Sequence, residues 1–355
     1  MKLLATGTAV LGLALWGVGA LEADGQEVGD RYTLQGNPAV YLLAGEVEIV
    51  PGTGRDVVVD VDFRGSDADR LSVDVGAVRG RDALRVRFPS DDIVYDRGQG
   101  SRYRSQMTVR DDGTFGGMSP RGGRRVRISG AGSGLEAHAV LRVEVPEGRD
   151  VAVFVGAGGV VARQVDGSLE LDTRSGSIVA EGIGGVVNAD TGSGDIRLSD
   201  IVGSVLADTG SGDITLAGID GESVEADTGS GRIEGRGVRA DRVSFDTGSG
   251  RIEVEGLEAR VARVDTGSGR VDLGFVGGVR DLAVDTGSGS VTVRFATAVD
   301  AEIEIDTGSG GIDVDLPDTV RRGGGRTSWE GTAGSGRGSI EIDTGSGSVR
   351  LLRAR

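Results

Sequence analysis

Apolar and polar residues alternate with a period of two along most of the chain, and this alternation predicts β-strands. In residues 223–238 an alternating segment leads into Asp227-Thr-Gly-Ser-Gly, and a second alternating segment follows the glycines. Val224 and Ala226 then lie on one face of the strand, while Glu225 lies on the other. The inward positions recur at Ile196, Leu198, Val205, Ile214, Leu216, Ile252, Val254, Leu257, Val291, Val293, Ile303 and Ile305. No long apolar stripe with a helical period follows residue 20, so the pattern predicts an all-β protein.

The pentapeptide Asp-Thr-Gly-Ser-Gly, or a close variant of it, recurs at a nearly constant spacing. It begins at Asp172, Asp190, Asp208, Asp227, Asp246, Asp265, Asp285, Asp306 and Asp343, at intervals of 18, 18, 19, 19, 19, 20, 21 and 37 residues. A decayed copy begins at Phe154. Because a coil of 18 to 21 residues cannot bury its apolar edge alone, we expect the coils to stack as parallel strands about 4.8 Å apart.

This stacking predicts a single-stranded parallel β-helix, or β-solenoid, over residues 151–355. Its winding is expected to be right-handed, as parallel crossovers are. A β-propeller would need a period of about 40 residues, which the spacing does not supply. The interval of 37 residues is either one coil with an insertion or two coils of which one has lost the pentapeptide.

The same pentapeptide resembles the active-site sequence of aspartic proteases, but only over four residues. Those enzymes need two such loops in two separate lobes, with two carboxylates that share a proton. Copies that recur about every 19 residues leave no room for a lobe between them. The spacing therefore argues against this class of enzyme.

Two interpretations of the pentapeptide remain. In the structural one, Asp, Thr and Ser bond backbone N–H groups at each corner and Gly accepts positive φ. Unit charges about 5 Å apart in the resulting column of aspartates repel by about 0.8 kcal/mol in water. The column therefore needs backbone groups, arginines or ions beside it. The alternative is calcium binding, with ligands at Asp190, Asp195, Asp208 and Asp213, although the nine-residue period of known calcium solenoids is absent.

The beginning of the chain has a different pattern, in which Lys2 precedes an uncharged apolar run over residues 3–20. A positive start, a short apolar run and small residues near its end are typical of a signal peptide. We expect residues 1–20 to be removed on export, with cleavage after Ala23 or a retained anchor as alternatives. After signal removal no transmembrane domain is expected, and the protein is placed in the periplasm or at the cell surface.

The amino-acid composition of the chain argues against several classes of partner and binding site. The chain has 65 glycines, no cysteine and a formal net charge of −16. The glycines suit turns, and the lack of cysteine excludes disulfides and a His/Cys zinc site. The negative charge argues against nucleic acid as a partner, and no cofactor is expected. His138, the sole histidine, is interpreted as structural.

Residues 24–150 form the N-terminal region, whose alternating segments predict strands that cap the solenoid. Within it, residues 91–137 are rich in Gly, Ser and Arg and predict a mobile loop. Residues 317–338 form a second Gly-rich insertion. The insertions supply candidate contacts for an anionic glycan, lipid headgroups or envelope proteins, at Arg102, Arg104, Arg121, Arg124, Arg125 and Trp329. A solvated loop, and for Trp329 a lid over the last coils, are the alternatives.

The order of these motifs resembles a bacterial family of β-strand repeat domains named "putative adhesin", a domain of unknown function. The resemblance rests on Gly45-Glu-Val-Glu-Ile-Val, Val145-Pro-Glu-Gly, the repeated Ser-Gly turns, and the C-terminal stretch from Gly338 to Val349. It implies an extracytoplasmic single-stranded β-helix and supplies no catalytic residues.

Together, these features predict a non-enzymatic exported scaffold that binds envelope or cell-surface components. Two alternatives remain open, a polysaccharide-active β-helix enzyme and a calcium-stabilised surface repeat protein. The enzyme would need one coil face that breaks the repeat with clustered acids and bases, whereas the coils are near-copies of one another.

Overall fold

The parallel stack of coils begins on a long strand over residues 39–52 and continues to residue 353. The computed structural model describes residues 30–96, 103–116 and 122–354, and the predicted signal peptide over residues 1–20 lies outside them. One sheet contains 25 strands, and a separate sheet contains three. The predicted all-β solenoid is thereby confirmed.

The N-terminal strands close the first end of the stack, as predicted. They are β1 (Asp30–Leu34), β2 (Ala39–Gly52), β3 (Val57–Arg64), β4 (Ser72–Val78), β5 (Arg81–Arg87) and β9 (His138–Pro146), with one 3₁₀ turn at Ala68–Arg70. β5 and β9 pair with β2 in parallel. β4 then covers β5, and β3 covers β9, both in antiparallel register. The change of direction ends the parallel stack.

In most coils one strand ends at Asp-Thr and another follows the turn, whereas three strands of 15 residues run without a break from one turn to the next. The strands are β10 (Val151–Ala157), β11 (Val160–Arg163), β12 (Leu169–Thr173), β13 (Ile178–Ile183), β14 (Val187–Thr191), β15 (Ile196–Val202), β16 (Val205–Thr209), β17 (Ile214–Thr228), β18 (Ile233–Thr247), β19 (Ile252–Thr266), β20 (Val271–Phe275), β21 (Asp281–Thr286), β22 (Val291–Phe295), β23 (Ala301–Thr307), β24 (Ile312–Asp315), β25 (Thr319–Gly323), β26 (Ser328–Ala333), β27 (Gly338–Thr344) and β28 (Val349–Arg353). Equivalent residues pair across coils, so Ile214 faces Ile233 and Ile233 faces Ile252. These side chains are fully buried.

The predicted loop over residues 91–137 is wrong for its described part. β6 (Asp92–Val94), β7 (Arg104–Val109) and β8 (Arg124–Ser129) form the three-stranded sheet. One face of this sheet packs into the core through Ile93, Val109, Val126 and Ile128, each at most 2% exposed. The segment is therefore a small folded layer on the first coils, because its few apolar residues fall on one face.

The last three coils stack in an order that differs from their order in the chain. We name them the Asp285 coil (281–295), the Asp306 coil (301–315) and the Asp343 coil (338–353). β27 pairs with β21 on one edge and with β23 on the other, and β28 lies between β22 and β24 in the same way. The final copy of the repeat is thus inserted between the two copies that precede it. The 37-residue interval is therefore one coil with an insertion, the excursion over residues 316–337.

That excursion closes the second end of the solenoid. β25 and β26 form an antiparallel hairpin, and β26 pairs antiparallel with β23. Trp329 on β26 is 8% exposed, so it packs under the hairpin as the lid interpretation expects and is not presented for contact. Both ends of the parallel stack therefore terminate in antiparallel strands, which satisfy edge groups that further parallel coils would otherwise pair.

Candidate functional site

The pentapeptide turns are held by their threonines. Thr247 Oγ1 donates to the carbonyl oxygen of Gly231 in the preceding coil at 2.9 Å, and it accepts from the N–H of Gly250 at 3.0 Å. Thr228 repeats both contacts one coil earlier, with Gly212 and Gly231. The threonines of all nine copies are at most 4% exposed; they are Thr173, Thr191, Thr209, Thr228, Thr247, Thr266, Thr286, Thr307 and Thr344. They form a buried ladder that joins neighbouring coils.

The glycines of the pentapeptide are required for close approach between coils. A Cβ atom at Gly231 would lie 1.8 Å from the carbonyl oxygen of Gly212, and one at Gly229 would lie 2.5 Å from that of Gly210. Neither Gly229 nor Gly231 has positive φ, so the predicted role for positive φ is wrong at these two positions. Here glycine is needed because any side chain would separate the backbones of adjacent coils.

The aspartates form a continuous outward column. Asp190 pairs in register with Asp208, and the register continues coil by coil through Asp285 and Asp343 to Asp306. Among the described residues, the structure shows no hydrogen bond or ion pair for the carboxylates of Asp190, Asp208, Asp227, Asp246, Asp265, Asp285, Asp306 and Asp343. The hydrogen bonds of these corners are therefore made by threonine, and the aspartates face solvent.

Partial burial and mutual repulsion raise the pKa of several aspartates in the column. For Asp246 the pKa is raised by desolvation first and by the charge of Asp227 second. The same direction holds for Asp190, Asp208, Asp227, Asp265 and Asp343, with desolvation as the largest cause in each. A folded pKa above the unfolded one means that the folded state binds protons more tightly. The column therefore stabilises the fold fully below the ordinary aspartate pKa of about 3.9, and this contribution is lost as pH rises through the folded values.

The four aspartates considered as calcium ligands lie in two different environments. Asp190 and Asp208 belong to the outward column, whereas Asp195 and Asp213 bond backbone N–H groups and arginines. Asp195 accepts from the N–H of Asp213 at 3.1 Å and pairs with Arg197 at 2.8 Å. Asp213 accepts from the N–H of Arg232 at 2.8 Å and pairs with its guanidinium at 3.1 Å. Over residues 30–96, 103–116 and 122–354, no group of three or more His, Cys, Asp or Glu side chains could hold a metal ion.

The predicted arginine cluster is partly brought together on the outer face of the small sheet. Gln106 pairs with Arg127 and Thr108 pairs with Arg125, so these side chains share one face with Arg104. Arg104, Arg125 and Arg127 are exposed, and Arg127 also contacts Asp92 at 2.8 Å. We call Arg104, Arg125 and Arg127 the basic face. The alternation of arginine with Val126 and Ile128 was the sequence signal for this face.

The other predicted contact residues lie elsewhere. Arg124 turns toward the core side, where its guanidinium bonds the carbonyl oxygens of Phe88 and Ser90 and the carboxylate of Asp91. Arg124 therefore anchors the small sheet. Arg102 and Arg121 lie outside the described residues. The cluster expected from the sequence is thus reduced to Arg104 and Arg125, joined by Arg127.

A second polar surface was missed by the sequence analysis. An open groove of about 770 Å³ runs beside the aspartate column across the coils from Ser223 to Glu341. Arg242 and Arg263 lie on it together with Glu225 and Asp281, so the groove carries both signs of charge. It forms because small side chains such as Ala283 alternate with long ones along the stack, a feature that becomes visible only once the register is known.

His138 occupies a structural position. Its ring lies 4.9 Å from the ring of Tyr95, and desolvation, followed by the charge of Arg64, lowers its pKa. Tyr95 donates to Glu46 at 2.8 Å and so ties the small sheet to β2. His138 is half-buried and packs against the ring of Tyr95.

The coil register and the threonine ladder define a β-solenoid repeat protein. Residues 181–352 match the model of the Toastrack family DUF4097, a domain of unknown function. This match confirms the predicted resemblance to a β-repeat family. No curated protein matches the chain.

One solved structure that is similar comes from Clostridium sporogenes and is described as a putative cell adhesion protein. It is 9% identical, and the alignment covers 92% of this chain and 99% of that chain, with a TM-score of 0.20. At that TM-score the similarity carries no argument about function. In the described part of the chain, no helix has the length and apolar character needed to span a membrane.

Proposed function

We propose that the protein is a non-enzymatic exported scaffold that binds anionic components of the cell envelope or of another cell. One observation carries this proposal: the strands that lead into the nine copies of the pentapeptide stay in register with one another along the whole stack. Repeated rows of like side chains provide an extended, rigid binding surface. A catalytic solenoid would instead place clustered acids and bases on one divergent coil.

The basic face is the proposed contact for anionic ligands. Arg104 and Arg125 are exposed on β7 and β8, and the strands that present them are anchored through the buried Val126 and Ile128. Rigid presentation lowers the entropic cost of binding an anionic glycan or lipid headgroup. The chain as a whole carries a formal net charge of −16, which would favour ligands that reach this local positive surface without crossing the acidic column.

A binding panel of anionic glycans and anionic lipid vesicles tests the proposal. The full chain is compared with Arg104→Gln/Arg125→Gln, and with Arg236→Gln/Arg270→Gln as a charge-matched control on exposed coil positions. We expect the first variant to lose binding that the control retains. Equal binding by all three proteins would contradict the basic face as the contact.

The non-enzymatic part is tested with uronic-acid polymers. Incubation of the full chain with a panel of such polymers, with and without calcium, should leave the polymer length and end groups unchanged. New unsaturated ends, measured by ultraviolet absorbance, would show a lyase and overturn the scaffold proposal. Export is tested by locating the chain in periplasmic, surface and cytoplasmic fractions of the producing cell.

A further inference from the structure

Residues 301–353 form a unit at the C-terminal end of the solenoid, and this unit contacts the rest of the solenoid through one interface. The terminal unit (301–353) contains the Asp306 coil, the hairpin and the Asp343 coil. Within it, β23 lies between β26 and β27, and β24 pairs with β28. It meets the body through β27 on β21 and β28 on β22. The whole unit is thus docked by the same coil-on-coil contact that repeats along the stack.

Hydrogen bonds and an ion pair hold the two coils of the terminal unit together through Asp300, the residue that directly precedes the unit. Asp300 accepts from the N–H and the hydroxyl of Ser335 at 2.7 and 2.9 Å, and it pairs with the guanidinium of Arg337. The N–H of Gly338 donates to the carbonyl oxygen of Asp300 at 2.9 Å. These bonds join the start of the Asp306 coil to the start of the Asp343 coil, so the two coils would move as one.

The tether that connects the body to the terminal unit spans two coils. Residues 296–300 run from the Asp285 coil to the Asp306 coil and pass the inserted Asp343 coil. The preceding connection, residues 276–280, has the same five residues but spans a single coil. Since adjacent strands lie about 4.8 Å apart, the tether covers about twice the rise with the same length of chain.

Hydrogen bonding also distinguishes the two connections. In residues 276–280, Val276 donates to Leu257 and Arg280 donates to Arg260, so both ends rest on the coil below. In the tether, the backbone bond to the body is made by Ala296, which donates to Phe275 at 2.9 Å. A short hinge connection favours exchange of the element it carries between two copies of a chain.

The docking contact itself does not distinguish the unit's own body from that of another copy. Thr344 Oγ1 donates to the carbonyl oxygen of Gly289 at 3.1 Å, and the N–H of Gly345 donates to that of Thr286 at 3.1 Å. Ile340 and Ile342 are 1% exposed in this contact. An identical unit from a second copy would make the same bonds and bury the same side chains.

We propose that two copies of this chain exchange their terminal units, so that the face of the Asp285 coil that pairs with the chain's own Asp343 coil pairs instead with the Asp343 coil of a second copy. Exchange keeps every coil-on-coil bond, because the incoming terminal unit makes the same contacts as the original one. This inference does not rest on the proposed function, because it concerns the contact between β21 and β27 alone.

The absence of cysteine from the chain permits a direct test. Ala283 on β21 and Glu341 on β27 are register partners with exposed side chains. Full-length Ala283→Cys and Glu341→Cys chains are mixed in equal amounts, unfolded, refolded together and oxidised. Exchange brings the two cysteines from different chains into register, within the range that a disulfide bridges. We expect a disulfide-linked heterodimer on a non-reducing gel.

A matched pair one interface earlier serves as control. Arg263 on β19 is the register partner of Ala283 and is also exposed. A mixture of Ala283→Cys and Arg263→Cys chains should give no heterodimer above the level of each chain alone, because residues 276–280 span one coil. The Ala283→Cys/Glu341→Cys chain should form the bond within one chain, which shows that the geometry permits it.

Insertion of Gly-Ser-Gly tests the role of the tether. Placed after Ala298, the insertion relaxes the tether and should remove most of the heterodimer; placed after Gly278, it should leave the yield unchanged. Absence of heterodimer from the Ala283→Cys and Glu341→Cys mixture, while the double variant still oxidises, would overturn the proposal. Equal heterodimer from the Arg263→Cys mixture would also overturn it, since opening would then be general to the stack.

Discussion

The threonine ladder makes a prediction that separates hydrogen bonding from packing. Thr247 is fully buried, and its hydroxyl donates to Gly231 at 2.9 Å and accepts from Gly250 at 3.0 Å. Thr247→Val keeps the shape of the side chain and removes both bonds. It leaves a buried N–H group and a buried carbonyl without the hydroxyl, and each lost bond costs about 1 kcal/mol or more. We therefore expect the free energy of unfolding to fall by about 2 to 4 kcal/mol.

Urea denaturation followed by far-ultraviolet circular dichroism measures this change. Thr247→Ser keeps the hydroxyl and loses one methyl group, so its expected cost is about 1 kcal/mol. Thr215→Val is the control on a partly exposed strand position, where a change within about 0.5 kcal/mol is expected. Hydrogen exchange adds a local measurement, because the amide of Gly250 should exchange faster in Thr247→Val. If Thr247→Val unfolds at the same urea concentration as Thr215→Val, the ladder does not stabilise the coils through its hydroxyl groups.

Three further predictions concern spacing, charge and the hairpin. Gly231→Ala should destabilise the chain by about 3 kcal/mol or more, because its Cβ would lie 1.8 Å from the carbonyl oxygen of Gly212. In the control Gly278→Ala, the Cβ would meet nothing within 4 Å, so this variant should be neutral. Thermal unfolding compares the stability of the two variants. Asp246→Asn should raise the melting temperature at pH 7. The difference from wild type should shrink as pH falls toward about 4, because protonation of Asp246 removes the same repulsion. A difference in melting temperature that grows in acid would contradict the raised pKa of Asp246. In a Trp16→Phe background, Trp329 should emit at short wavelength and resist iodide quenching because it is 8% exposed; ready quenching would place it in solvent.

The sequence was sufficient to predict the coils because each one repeats the same local chemistry. The inward positions at Ile214, Ile233 and Ile252 and the corner at each pentapeptide follow from alternation and spacing alone. The assignment of roles inside the pentapeptide did not follow, because Asp and Thr both bond backbone groups in turns. Only the register between coils shows that the threonine is buried and that the aspartate faces outward.

The small sheet was predicted as a loop because its apolar residues are few. Val126 and Ile128 alternate with arginines, and the weight given to glycine and charge obscured that alternation. A face that packs on an existing core needs fewer apolar residues than a free-standing sheet, since the core supplies the other half of the contact. The basic face could therefore be located only after β7 and β8 were placed on the first coils.

The order in which the last three coils stack could not be predicted from the sequence, for a related reason. Asp285, Asp306 and Asp343 head the same pentapeptide, so stacking in chain order and stacking with insertion make equivalent coil contacts. What distinguishes the two orders is the hairpin. It follows the Asp306 coil after the three residues 316–318, and so it can cover only β23. If the Asp343 coil lay outermost, its parallel edge would remain open while the hairpin was displaced.

Placing the final repeat inside the stack therefore resolves a constraint that every solenoid meets at its end. The cap must follow its coil closely in sequence, yet here a further copy of the repeat follows the cap. Insertion lets β26 close the outer edge of β23 while β27 pairs on both of its edges. The arrangement gains a closed end and, in return, requires a tether across two coils, which is the feature that makes the terminal unit exchangeable.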